Sequence, residues 1–564
     1  MLNPNSWHPY LYGIVGVSFI LGILLASESL PYVYHPDEPV LLKQPFKRII
    51  QYRAGDFSSQ FSLYDLLLTT WLGITYLLGY LMGLFEGISH FREELILESS
   101  TVIFSARMLS VVLVCLGNGL LFSFIAKETH KKPLALLFAL LFLTNPFLLV
   151  SAYKIKFEAL VYFCSIFLFT RVFPYFSAPD ASQRRKVYFW AILALAVRIE
   201  LIVFLLLILI FDSSVVGIRR SSLNRFTQIL RPIGWGIVAY CLITLYPLTL
   251  LHQFLGKSPE LGLVTGHTFG GNVLMGLFTN LKNEEIPTRI QENGEYYLPL
   301  LFSIFFFPLL TCILTIQRKH LWWLLYPLGI LTFLLVNTLH FPRYLLPVST
   351  GFLLILFINY RVSPTKRKHI LFGISLSLVS FLLIAAQFIL VSLSPDPRTQ
   401  AKEFILAYTH PEDLLAMETL SGAGSYPPLW ECKDQMVAKA QYAQAYSPYM
   451  GTKYQIQIQR NMTFPCRRIL DICEINYLGP NPQTNSPFLN TKDLAHFRSL
   501  APKYFISVYT LDQLKFIYPA HTLFYEALKK DYFLVKFFPK NLDYFDPRMK
   551  LLNTRKPVYV YKKA

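Results

Sequence analysis

The chain has 564 residues, 54% of them hydrophobic and only 15% charged, with a formal net charge of +18. A soluble domain carries roughly a quarter charged residues, so the composition excludes an ordinary soluble globular protein. The positive charge argues against nucleic-acid binding by its distribution. Much of it sits in short clusters between apolar runs, at Lys127/Lys131/Lys132, Arg184-Arg185-Lys186, Arg219-Arg220, Arg318-Lys319 and Lys366-Arg367-Lys368, as cytoplasmic loops do under the positive-inside rule.

Taken in chain order, the apolar runs predict membrane spans near 12–30, 103–125, 134–153, 157–175, 232–255, 297–316, 321–339, 344–360 and 370–393, each near the length a bilayer requires. The first lacks a basic leader and a cleavage site and is read as a retained anchor. Directly after it stands His35-Pro36-Asp37-Glu38, two adjacent carboxylates where a membrane helix emerges into water. Like charges held together beside apolar material are costly, so the pair marks a candidate site for a proton, a cation or a sugar.

Charge parity settles two ambiguous runs. If Leu63 to Leu84 crossed the membrane, every later basic cluster would fall on the wrong side. It is therefore read as a juxtamembrane or re-entrant segment on the outer surface, within one long outer loop covering 30–101. Val187 to Phe211 is interrupted by Arg198-Ile-Glu200. As one span it would bury both charges at mid-membrane. As a hairpin of two short helices, roughly 182–197 and 201–215, it places Arg198 and Glu200 at an outer tip. With both choices all the basic clusters lie on one side, and about eleven spans result. The expected fold is a polytopic α-helical membrane protein.

Ser394-Pro-Asp-Pro397 ends the last span, because paired prolines stop a helix. It divides a membrane domain, 1–394, from an outer domain, 395–564. In the outer domain Ala401–Tyr408, Leu494–Leu500 and Leu523–Lys530 read as helical. Asp413–Met417, Tyr504–Val508, Tyr532–Phe538 and Pro557–Tyr561 read as extended, which together predict a small α/β domain. Cys115, Cys164, Cys241 and Cys312 fall in apolar runs and read as packing residues. Cys432, Cys466 and Cys473 allow one disulfide with a thiol left over. Asn461-Met-Thr463 is a glycosylation acceptor only in a eukaryotic lumen.

These assignments gather Asp37 and Glu38, Lys154, Lys156 and Glu158, Arg198 and Glu200, and His340 and Arg343 at span ends on one face. A hydroxyl that attacks an anomeric carbon needs a carboxylate to take its proton. A departing lipid phosphate needs cationic or metal stabilisation as its charge develops. Acids and bases converging at one membrane face match both needs.

The order of the motifs resembles a polyprenyl-phosphate-dependent glycosyltransferase of the GT-C superfamily. It is similar to the bacterial family 39-like group of protein mannosyltransferases and the lipid A aminoarabinose transferase. The likeness runs over about residues 10–360. It is carried by Tyr34-His-Pro-Asp-Glu-Pro39, Phe61-Ser-Leu-Tyr64, Ser105-Ala-Arg-Met-Leu-Ser110 and Phe341-Pro-Arg-Tyr-Leu-Leu-Pro347. The resemblance implies that Asp37 is the catalytic base with Glu38 beside it. It implies that Glu158 is the second acid, where the family more often has Asp, and that Arg198 caps the hairpin. Glu38 and Glu158 would position the acceptor or, with Asp37, a divalent cation (Mg or Mn). Arg198, Arg343 and Lys154 would hold the donor phosphate, with His35, Glu200 and His340 as further candidates and Lys43, Lys47 and Arg53 as additional phosphate contacts. The implied donor is a polyprenyl-phosphate sugar. The acceptor is an extracytoplasmic glycan, lipid or protein, and the location is a bacterial inner membrane. The alternatives are a eukaryotic GT-C enzyme of glycolipid assembly, a transporter or flippase for a lipid-linked glycan, and a non-catalytic scaffold.

Overall fold

The computed structural model describes residues 8–28, 30, 38, 41–42, 63–195, 197–198, 201–214, 233–236, 238, 286–336, 342–418, 427, 429–432, 435–437, 448–459, 466–472, 494–517, 522–539 and 557–564. Six helices among them are long and apolar enough to cross a membrane, and three shorter apolar helices accompany them. Most of the expected span 232–255, Arg219-Arg220, Cys241 and Cys473 lie outside the described residues, as do Lys43, Lys47, Arg53 and Asn461-Met-Thr463.

The bundle opens with α1 (His8–Ala26), which packs on the longest early helix, α4 (Ser100–Thr129). Their crossing is close because Gly22 has no side chain: a Cβ there would lie 2.4 Å from Val111 Cγ1. Ser99 caps α4, and His130 ends it in a left-handed conformation, φ 54°. The run expected as one span at 134–153 is two helices, α5 (Lys132–Leu143) and α6 (Pro146–Ser151). The break has a local cause. Pro146 cannot donate to the preceding turn, and Asn145 caps α6 by accepting from the Phe147 N–H at 3.1 Å while its amide donates to Ser349 Oγ at 2.8 Å.

After α7 (Glu158–Ser177) the chain forms α8 (Ala181–Ala194) and α9 (Ile202–Ser214), two packed helices with Arg198 in the turn between them. This is the expected hairpin. At its far end Asp212 accepts hydrogen bonds from Tyr175 and Tyr188, and Arg184 Nε lies 3.3 Å from Asp212 Oδ2. That buried cluster ties α7, α8 and α9 together. The bundle is completed by α10 (Ile286–Thr315), kinked at Phe305 between two prolines, α11 (Leu325–Val336), α12 (Leu345–Val362) and α13 (Arg367–Leu393). Interhelical polar contacts supply specific ties where lipid gives no hydrophobic drive between helices. Tyr162 donates to Asn118, whose amide donates to Ser18, and Tyr326 donates to Ser165.

Before α4, α2 (Leu63–Leu81) and α3 (Ile88–Leu97) form a cover. Trp71 Nε1 donates to the Ser105 carbonyl at 2.7 Å, and Tyr64 lies beside Ser110. From Tyr64 to Thr75, which meets Ser105 Oγ at 2.5 Å, α2 rises about 16 Å. Over Ser110 to Ser105, α4 advances about 7 Å. The helix is therefore inclined to α4 and touches its first turns.

Beyond α13, α14 (Pro397–Tyr408) is capped by Asp396, which accepts from the Arg398 N–H at 2.9 Å. A six-stranded sheet follows, in the order β2-β3-β1-β4-β6-β5, from β1 (Leu414–Glu418), β2 (Trp430–Glu431), β3 (Cys466–Ile472), β4 (Tyr504–Ser507), β5 (Tyr532–Phe538) and β6 (Val558–Lys563). The strands from β2 to β4 pair in parallel, while β6 is antiparallel to both β4 and β5. Strand alternation splits the core between two faces. Leu415, Met417, Tyr504 and Ile506 pack on one, Ala416 and Phe505 on the other. Helices α16 (Leu494–Leu500), α17 (Leu511–Ile517) and α18 (Thr522–Asp531) accompany the sheet, and Cys432 is bonded to Cys466. A further helix, α15 (Pro448–Gln459), packs on α3, where Lys453 Nζ meets Glu98 Oε2 at 3.2 Å.

Candidate functional site

The sequence-predicted residues that are described converge at one end of the bundle. That end holds the C-terminus of α1, the first turns of α4, the loop 152–157, the start of α7, the hairpin turn and the start of α12. Asp37, His35, Glu200 and His340 lie outside the described residues.

The Glu38 side chain is fully buried and forms a two-pronged ion pair with Arg107 of α4: Nε to Oε1 at 2.8 Å and Nη2 to Oε2 at 2.7 Å. The Ile155 N–H donates to Oε1 at 2.9 Å. Arg107 Nη1 donates in turn to the carbonyls of Ala26 and Glu28, both at 2.7 Å. One arginine thus joins the end of α1, the acidic motif and α4, and Glu38 adds the loop before α7. Burial by itself would raise the Glu38 carboxyl. The charge and hydrogen bonds of Arg107, the charge of Lys154 and the Ile155 N–H outweigh burial and hold it below the usual carboxylate range.

Lys154, in the same loop, pairs with Glu28 at 3.2 Å, and its carbonyl accepts from Ser110 Oγ at 2.7 Å. Four residues later Glu158 opens α7, where the positive end of the helix dipole favours a carboxylate. Glu158 is 2% exposed, and Arg343 Nε lies 3.3 Å from its Oε1. Even so, neither carboxylate oxygen of Glu158 receives a hydrogen bond. Ile155 and Glu158 are three residues apart, so their Cα atoms are separated by at most about 11 Å. The Glu38 clamp and the Glu158 carboxylate therefore belong to one small region.

Arg198 stacks over Phe157 and Tyr344, with its guanidinium 4.5 Å and 4.8 Å from the ring centroids. Arg343 lies 5.1 Å from the same Tyr344 ring. The two arginines thus share one aromatic anchor, a contact that holds a guanidinium in place without neutralising it. Tyr64 of α2 is buried beside Ser110 and near Glu38 and Glu158, so the cover helix reaches the same region.

The sequence assigns no role to Arg107 or Tyr64, although both stand in motifs that carry the resemblance, and it does not single out Glu28 or the stacking of Phe157 and Tyr344. Arg107 carried a readable signal, since a lone arginine inside an apolar span needs a buried partner. The aromatic contacts carried none, because they depend on the meeting of three separate segments.

The donor set does not fit a divalent cation held by described residues. No group of three His, Cys, Asp or Glu side chains is close enough among them. Both oxygens of Glu38 are committed to Arg107, and Glu158 faces an arginine.

No family model matches the chain, and no curated protein matches it. Among solved structures, that of ArnT from Cupriavidus metallidurans bound to undecaprenyl phosphate covers 99% of this chain and 98% of its own. The TM-score is 0.42 and the sequence identity 13%.

Proposed function

We propose that the protein is a membrane glycosyltransferase of GT-C type, moving a sugar from a polyprenyl-phosphate donor to a glycan, lipid or protein hydroxyl on the outer face. The observation that carries this reading is the buried Glu158 carboxylate. It has no hydrogen bond to either oxygen, and two stacked arginines stand beside it. Leaving a buried acceptor unsatisfied costs about 1–3 kcal/mol, more for a charged one. Such a carboxylate suits a substrate hydroxyl that it can receive and orient.

In this mechanism Asp37 takes the proton of the attacking hydroxyl. Glu38 is a positioning residue: its clamp on Arg107 and Ile155 fixes the chain immediately next to Asp37. Glu158 orients the acceptor. Arg343 and Arg198, with Lys154 nearby, offset the charge that builds on the departing lipid phosphate. Developing negative charge near fixed guanidinium groups in a poorly hydrated site is stabilised more strongly than in water. No step is routed through a cation.

The gathering of these charges at one end of the bundle also favours an enzyme over a carrier, in which binding groups sit near the midplane between repeated halves. The test is complementation of a deletion strain, with glycolipids and surface glycans compared by mass spectrometry. Wild type should restore a sugar-bearing product. Asp37→Asn should restore none while inserting at wild-type abundance, and full restoration by that variant would sink the assignment.

A further inference from the structure

The end of the bundle opposite the site holds a second feature that the reaction does not use. The α4–α5 turn, with residues of α1, α12 and α13, borders an open cleft of about 590 Å³. Its rim carries His130, Lys131 and Lys132, and Leu134, Leu137 and Leu371 line its wall. The rim is held in shape. His130 closes α4 in a left-handed conformation with its N–H on the Ala126 carbonyl at 2.9 Å, and Lys132 Nζ lies 5.6 Å from the Tyr10 ring centroid. Tyr360, also in the lining, carries Arg367 over its ring at 5.4 Å.

Three further points narrow the ligand. Helix α5 begins here with no side chain capping its first N–H groups, so its dipole adds positive potential to the lysines. The carboxylate closest in sequence to the rim, Glu128, faces Arg361 at 3.9 Å. The wall leucines belong to α5 and α13, apolar helices of the bundle. A cationic rim suits a phosphate, and an apolar wall built from leucines of two bundle helices suits an acyl chain. Basic pockets between spans recognise anionic headgroups in this way.

We propose that this cleft binds an anionic membrane phospholipid, with Lys131 and Lys132 on the headgroup phosphate and Leu134, Leu137 and Leu371 along the first acyl carbons. A soluble phosphate would use the rim and leave the wall unexplained.

The test uses the full-length protein, purified in detergent and mixed with phosphatidylglycerol or phosphatidylcholine of equal chain length. Retained lipid is counted by native mass spectrometry. Phosphatidylglycerol should be kept in preference to phosphatidylcholine, and millimolar inorganic phosphate should leave it in place. Lys131→Gln with Lys132→Gln should weaken its retention about tenfold or more, since each basic residue near an anionic surface contributes about a factor of five. The double Lys→Arg variant should keep it. Equal retention of the two lipids by wild type, unchanged retention in the Gln variant, or displacement by inorganic phosphate would each overturn the proposal. The lipid preference of wild type reads out even if the Gln variant fails to fold. The outcome is independent of the transferase reading, because the cleft lies at the other end of the bundle.

Discussion

At the scale of single residues, Glu38 and Arg107 show how a buried ion pair positions a site. Both are almost completely buried, and removing one partner of such a pair typically costs about 3–5 kcal/mol because the other charge is stranded. Arg107→Met should therefore lower the thermal stability of the solubilised protein strongly. The double variant Arg107→Met with Glu38→Met should recover most of the loss, since an apolar pair of similar volume is often neutral. Melting followed by intrinsic fluorescence distinguishes the two. The same pair predicts acid sensitivity with a definite sign. The folded state holds the Glu38 carboxyl below its ordinary value, which is about 4.3 for a free glutamate. Its stabilising contribution is complete above that pH and is lost as pH falls through the depressed folded value. Wild type should lose stability below about pH 4.3 more steeply than Glu38→Gln, in parallel acid titrations. For Glu158, replacement by Gln keeps the shape and removes the charge. If it orients the acceptor, transfer should fall by a factor on the order of a hundred or more, with protein abundance unchanged. Wild-type transfer by Glu158→Gln would remove this residue from the mechanism.

At the scale of elements, charge parity read the α8–α9 hairpin correctly because Arg198 and Glu200 are too costly to bury at mid-membrane. The break between α5 and α6 is absent from the sequence reading of 134–153, although Asn145-Pro146 marks it. The apolar residues on both sides concealed a cap in which Asn145 accepts from the Phe147 N–H while its amide is held by Ser349. Close helix approach was equally hidden. At Gly22 an added Cβ would collide with the branched side chain of Val111, and at Gly373 it would lie 2.0 Å from Thr311 Oγ1. Gly22→Val should force α1 off α4 and cost about 1–3 kcal/mol or more. Gly16→Val, with nothing within 4 Å of the added Cβ, should leave the melting temperature nearly unchanged. Equal melting of the two variants would contradict the packing described for α1.

At the scale of the whole molecule, the two ends of the bundle differ in charge: one mixes acids and bases, the other is mainly basic. Glu28, Glu38, Lys154, Glu158, Arg198 and Arg343 share one end with the α3–α15 contact. Lys127, Lys131, Lys132, Arg184 and the Lys366-Arg367-Lys368 cluster share the other. Single cysteines placed at Lys154 and Thr399 should therefore react with an impermeant thiol reagent from one side of intact cells, and a cysteine at Lys131 only after permeabilisation. Labelling of all three from the same side would contradict this arrangement. The sequence by itself determined the membrane class, the hairpin, the α/β alternation after Ser394 and the gathering of the described charges at one end of the bundle. Each of these follows from hydropathy, spacing or the cost of placing charge in lipid, which are properties of local segments. Strands β2 and β3 escaped it, because β2 has only two residues and β3, Cys466-Arg-Arg-Ile-Leu-Asp-Ile472, places charges among its apolar positions. The tertiary structure alone decided that Arg107 clamps Glu38, that Glu158 stands buried with no hydrogen bond beside Arg343, and that Cys432 pairs with Cys466. Those outcomes depend on which distant segments meet, and no local pattern carries that information.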